Sequence, residues 1–186
     1  NSSSTVDLIL SAGATNLIKV GGPGGANYSG TLNVGISAGE VTRQLWSEKA
    51  QPVTVSISNP NPNTVTIPTS SRTFNYLPDT ASKIGFKVAT DSTTTDNAYN
   101  ILAEVVDQYG NIATTFSSSS IFLTTVAPVS GLIDPTTKLT KNLSSTPISF
   151  ISGQASFPIQ NKNVENITFQ FTSGSIATNS LTLGAT

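Results

Sequence analysis

The apolar residues of this chain recur at every second position, in short runs of Val, Ile, Thr and Phe cut off by clusters of Gly, Pro, Asn and Ser. Successive side chains of a strand point to opposite faces, so a period of two gives a ribbon with one apolar face. A helix needs apolar residues three and four apart. That helical spacing is nearly absent. Its best representative is AGEVTRQLWSEKA at 38–50, where Val41, Leu45 and Trp46 come near one face. One short turn of helix or a loop fits those residues equally well. Turn signals spaced by about 8–12 residues point to an all-β fold, an antiparallel sandwich of two packed sheets.

Three regions follow from the punctuation. In residues 1–25, Val6, Leu8 and Leu10 alternate on one side and Asp7, Ile9 and Ser11 on the other; Leu17, Ile18 and Val20 come next, and GGPGG at 21–25 closes the region. Gly admits almost any backbone angle and Pro denies a ladder hydrogen bond, so those five residues are expected to form a hinge between an apolar arm and the rest. Residues 26–92 carry candidate strands at 31–36, 53–58, 64–68, 73–77 and 84–90, with the stiff loop NPNPN at 59–63. Residues 93–186 repeat the plan at 99–106, 120–126, 147–151, 154–159, 166–171 and 179–183. The two longer regions are expected to be two sandwiches or two halves of one; a single sandwich of about 160 residues fits the same spacing.

Composition narrows the function classes. The chain has no Cys, no Met and no His, only 10% charged residues and a net charge of −1, so its polarity is carried by neutral Ser, Thr and Asn. That is the composition of an exported protein, and a first residue that is not Met suggests that a signal peptide has been removed. The nine basic residues are scattered and leave no phosphate-binding footprint, which argues against nucleic acid as a partner. Apolar stretches such as 121–126 fall far short of the roughly 20 residues that cross a bilayer as a helix.

Without His or Cys the usual acid–base and nucleophile constellations cannot be built, and the ten acidic residues are spread too widely for a glycosidase pair. The expectation is that the chain is not an enzyme and has no cofactor. Asp91 and Asp96 flank Ser-Thr-Thr-Thr, and Asp107 shares a turn with Asn111, so oxygen ligands for Ca²⁺ could be gathered from loops. No Asp-x-Asp-x-Asp-Gly spacing supports that, and solvated turn carboxylates explain these residues better, with no metal. Glu104, on a candidate strand, is the acid to inspect for an intramolecular Lys–Asn isopeptide, against the simpler role of an outward strand position. Trp46 with Tyr28, Tyr76, Tyr99 and Tyr109 could make a sugar-stacking platform, although scattered aromatics are more often core or rim residues. Four sequons, at Asn1, Asn27, Asn142 and Asn166, permit N-linked glycans. Asn27 and Asn142 fall in expected loops, while Asn166 starts a strand and must face outward to be used.

The stretch ILAEVVDQYGNIATTFSSSSIFLTT at 101–125 joins two strands through Asp107, Gly110 and Asn111, an Asp-x-x-Gly-Asn turn. This resembles the immunoglobulin-like modules of invasin and intimin, and GQASFPI at 153–159 and ITFQFTSGS at 167–175 sit where such modules have their last strands. The resemblance implies an immunoglobulin-like sandwich. Residues 1–25 in turn resemble the donor strand of filament subunits that polymerise by strand complementation, including archaeal thread-type filaments. That resemblance implies an extracellular subunit that inserts its N-terminal strand head-to-tail into an identical neighbour, with Val6, Leu8 and Leu10 as plugs and Leu17, Ile18 and Val20 completing the strand or seating its base. The alternative is that 5–10 is the first strand of the chain's own sheet, in a monomeric immunoglobulin-like adhesin or surface-layer module that binds through loops.

Overall fold

The computed structural model describes residues 4–12, 18–28, 30–37, 40–58, 70–127, 129–172, 177–178 and 180–185. Among them every regular element is a β-strand. The fold is all-β, its sheets antiparallel apart from two parallel pairings in the second of two compact units, Asn1–Leu77 and Pro78–Thr186.

The first unit holds β1 (Ser4–Ala12), β2 (Ile18–Val20), β3 (Ala26–Tyr28), β4 (Gly30–Ile36), β5 (Leu45–Ser47), β6 (Pro52–Ser58) and β7 (Ser70–Asn75). They form a four-stranded sheet in the order β4-β1-β6-β7 and a three-stranded sheet in the order β3-β2-β5. β1 is antiparallel to both neighbours, with Val6 opposite Val34 and Leu10 opposite both Gly30 and Val55. The alternation read from the sequence is the reason: Val6 and Leu10 are buried, while Asp7 and Ile9 face the other way. Leu10, Ile18 and Val53 make a small core, against which Val20, Leu45, Val55 and Tyr76 pack.

Two expectations change here. The 21–25 segment is a hairpin turn and not a hinge. It joins β2 to β3 with Val20 opposite Ala26, and the Gly25 N–H donates to the Gly22 carbonyl at 3.0 Å. Glycine is required because Gly21 and Gly22 sit at φ of +97° and +94°, and a Cβ on Gly25 would lie 2.1 Å from the Val20 carbonyl oxygen. The helical candidate at 38–50 contains β5 instead. Leu45 pairs with Val20 and its carbonyl accepts the Tyr76 hydroxyl at 2.8 Å, so tertiary pairing overrides a weak local propensity.

The second unit holds β8 (Lys83–Phe86), β9 (Thr90–Thr93), β10 (Ala98–Val106), β11 (Ser118–Thr125), β12 (Leu132–Ile133), β13 (Ile148–Phe150), β14 (Gln154–Asn161), β15 (Asn166–Thr172), β16 (Ala177–Thr178) and β17 (Ser180–Ala185). Two five-stranded sheets result, β12-β14-β10-β8-β16 and β13-β11-β15-β17-β9. Their inward residues alternate as the sequence does: Ile101, Ala103 and Val105 from β10, Ala155, Phe157 and Ile159 from β14, Ile167, Phe169 and Phe171 from β15. An aromatic stack threads this core, with Phe86 and Phe171 stacked at 4.4 Å and Phe150 edge-on to Phe171 at 6.1 Å. Each such side chain contributes about 1.5–3 kcal/mol by leaving water.

The boundary therefore falls at Leu77 and Pro78, and not near 92. β8 pairs with β10, and β9 runs parallel to β17, so the strands expected to close the first sandwich belong to the second. The NPNPN loop, the 64–68 strand and Leu17 lie outside the described residues.

Candidate functional site

The Asp-x-x-Gly-Asn turn of the second unit is densely hydrogen-bonded. β10 delivers Asp107 into a buried position, and Gly110 takes φ of +83°, where a side chain would be strained. The Asp107 N–H donates to the Asn111 carbonyl at 2.9 Å, and Gly110 returns its N–H to the Asp107 carbonyl at 3.1 Å. Asp107 Oδ1 accepts the N–H groups of Tyr109 and Asn111 at 2.8 and 2.9 Å. Oδ2 accepts Asn111 Nδ2 at 2.9 Å and the Asp79 N–H at 3.0 Å. Burial alone pushes this carboxyl up, but the side-chain donor of Asn111 and three backbone N–H groups outweigh it and hold the pKa below the usual range. Both oxygens are thus filled by N–H donors. The carboxylate closes the turn and fastens Asp79, at the start of the unit, to the end of β10.

The other turn carboxylates are engaged separately. Exposed Asp91 accepts the Tyr99 hydroxyl at 2.6 Å and the Ser92 N–H at 2.8 Å, which lowers its pKa; burial and that same bond push the Tyr99 hydroxyl up to about 12. Asp96 sits at φ of 66°, and its carbonyl accepts Gln160 Nε2 at 2.6 Å. Asp134 accepts the N–H of Thr137 at 3.0 Å, Lys141 Nζ at 3.2 Å and the N–H of Thr136 at 2.9 Å, which pulls it down to about 2. Among the described residues no three acidic side chains converge.

Glu104 stands on the outer face of β10 in a shallow depression beside Leu102 and Ser156, with Gln154 Nε2 at 3.3 Å and Lys87 Nζ at 3.7 Å. Its neighbours are a glutamine and a lysine, not the lysine–asparagine pair of an isopeptide. The aromatic set is divided: Tyr28, Trp46 and Tyr76 belong to the first unit, Tyr99 and Tyr109 to the second. Trp46 faces Lys19 across the β2–β5 pairing, and its Nε1 is buried without a hydrogen-bond partner among the described residues. Lys19 itself pairs with Glu48 at 2.5 Å.

Of the donor-strand residues, Val6, Leu8 and Leu10 lie in β1, at the middle of their own sheet, and Ile18 and Val20 lie in β2, between β3 and β5. Of the sequons, Asn27 is exposed in β3 and Asn142 is exposed in a loop. Asn166 starts β15 and faces outward, opposite Gly184, while Ile167 turns in. Asn1 lies outside the described residues.

Sequence reasoning missed one polar cluster, Gln160 and Asn161, both buried at the end of β14. Lys138 Nζ donates to Gln160 Oε1 at 2.7 Å, and Asn161 Nδ2 donates to Glu165 at 3.0 Å. Burial of Ile159, Gln160 and Asn161 in succession breaks the alternation because β12 pairs there. Three residues are too few for that break to be read from the sequence.

No family model matches the chain, and no curated protein matches it either. Solved structures do resemble it. A glycosyl hydrolase family 2 member from Bacteroides cellulosilyticus matches 98% of this chain and 22% of its own, at 11% identity and a TM-score of 0.47. Invasin, a bacterial integrin-binding protein, matches 98% of this chain and 32% of its own, at 12% identity and a TM-score of 0.35. Domains 5–6 of the S-layer protein SbsC match 99% of this chain and 89% of theirs, at 12% identity and a TM-score of 0.37. The chain thus spans about a fifth of the glycosidase. At such identities and scores these likenesses carry no argument about activity.

Proposed function

We propose that this chain is a non-enzymatic structural module of a cell surface, exported and self-contained, of the kind found in adhesins and surface layers. The observation that carries the reading is the employment of its acids. Asp107, Asp91 and Asp134 each accept nearby N–H or O–H donors on both oxygens, which makes their turns stiff. A Cys-free, His-free composition of low charge agrees with export and with a role that is mechanical or adhesive.

A second reading, the filament subunit, has one observation in its favour. β1 is the first of the described strands yet lies inside its sheet, held by β4 on one side and β6 on the other. Lifting it out would open a cleft between two strand edges, which a neighbour's β1 could fill in the same register, as donor strands do.

The chain has no cysteine of its own, so a pair introduced at Ile9→Cys and Ser56→Cys, opposite one another in the β1–β6 pairing, separates the readings. In a self-contained module the pair oxidises within one chain and the protein runs as a monomer on a non-reducing gel. In a strand-exchanged filament the same pair links neighbours into a covalent ladder that reductant collapses. Labelling of intact cells by an antibody to the chain tests the surface location, and absence of label on intact cells, with signal after lysis, would sink it.

A further inference from the structure

We propose that Asn142 carries an N-linked saccharide, an inference that rests on the export reading above. Three sequons have their asparagine among the described residues, and their surroundings rank them. Asn142 is exposed and outside any strand, while the residues on either side are anchored. Lys141 Nζ donates to Asp134 at 3.2 Å and to the Pro158 carbonyl at 2.8 Å, and Leu143 is buried in the core. The backbone is thereby pinned and the Asn142 carboxamide held in solvent. The sequon hydroxyl also addresses its own asparagine: Ser144 Oγ donates to Asn142 Oδ1 at 2.8 Å, with the Ser144 N–H at 3.2 Å from the same oxygen. Two donors on the carboxamide oxygen draw electron density towards it and acidify the Nδ2 protons, so that Nδ2 can give one up as it attacks. The turn is local, so it forms whether transfer precedes or follows folding.

The other two sequons are less well placed. Asn166 is fixed within the β15–β17 pairing, and its hydroxyl residue, Thr168, shares a hydrogen bond with Thr182 at 3.2 Å across the sheet. Asn27 is exposed, but it is paired in the β2–β3 hairpin opposite Lys19. A glycan at Asn142 would hydrate a surface that carries few charges of its own.

The donor is a saccharide linked to a polyprenyl phosphate or diphosphate, presented by a transferase. Asn142 Nδ2 bonds to the anomeric carbon as the bond from that carbon to the phosphate oxygen breaks. The lipid phosphate leaves with the electron pair, and the departing Nδ2 proton passes to a base of the transferase.

The test is mass spectrometry of peptides spanning 142–144 from protein isolated from its native cells, beside Asn142→Gln, Ser144→Ala and Ser144→Thr variants made in the same cells. The expected result is a saccharide mass on Asn142 at higher occupancy than on Asn166. It should be lost in Asn142→Gln and Ser144→Ala and kept in Ser144→Thr. A bare Asn142 overturns the proposal. Where the bare protein is on the surface, the export reading survives; where it is confined inside the cell, both fall.

Discussion

Replacing Asp107 by Ala removes the acceptor for four N–H donors, three of them backbone groups, at 2.8–3.0 Å. A hydrogen bond to a charged acceptor contributes about 1.5–3 kcal/mol, yet four on one carboxylate do not add, and some donors regain water once the turn loosens. A loss of about 3 kcal/mol is the working figure, which for a unit of roughly 100 residues lowers Tm by about 10–15 °C. Differential scanning calorimetry should show this in one transition only, because the first unit has its own core and keeps its transition. The pH dependence gives a second readout. A carboxyl whose folded pKa is depressed supplies stability that is present above its unfolded value of about 3.9 and lost as pH falls through the folded value, so the wild-type protein weakens below about pH 4. Asp107→Ala should reduce that acid limb, the share from Asp134 and Asp91 remaining. Exposed Asp91 is the control, and Asp91→Ala should leave the transition nearly in place. If the two substitutions shift Tm equally, the turn is not the fastener described above.

Gly25→Ala should lower the stability of the first unit by about 1–3 kcal/mol and leave the second unchanged, since its Cβ would strike the Val20 carbonyl; two resolved calorimetric transitions would check it. Tyr99 gives an alkaline prediction. Burial first, and then the hydrogen bond its hydroxyl donates to Asp91, raise its pKa to about 12, so the stability held by the neutral form is present below its unfolded pKa of about 10 and lost as pH rises towards 12. Tyr99→Phe should remove that alkaline slope, as followed by circular dichroism between pH 9 and 12 at about one-unit steps.

Much of the architecture was legible because burial follows alternation. The runs around Tyr99, Gln154 and Asn166 became β10, β14 and β15 within a residue or two, with Phe157, Ile159, Ile167 and Phe169 inward. The Asp107 turn was also readable, since Asp, Gly and Asn at that spacing each have a local job. What was not legible depends on partners distant in sequence. GGPGG looks like a joint until β2 and β3 are paired, and Leu45 looks helical until Val20 and Tyr76 meet it. The unit boundary was misplaced because β8 and β9 find their partners in β10 and β17, far along the chain. Gln160 and Asn161 were missed for the same reason: their burial comes from β12, which nothing in their own segment announces.

The claim on which the account turns is that β1 belongs to its own unit. Amide hydrogen exchange on dilute full-length protein, followed by mass spectrometry, tests it directly. The account predicts that the peptide covering residues 4–12 exchanges as slowly as that covering β6, because both share one set of cross-strand hydrogen bonds. Rapid exchange across 4–12, with β6 and the second unit still protected, would contradict it and show an N-terminal strand waiting for another chain.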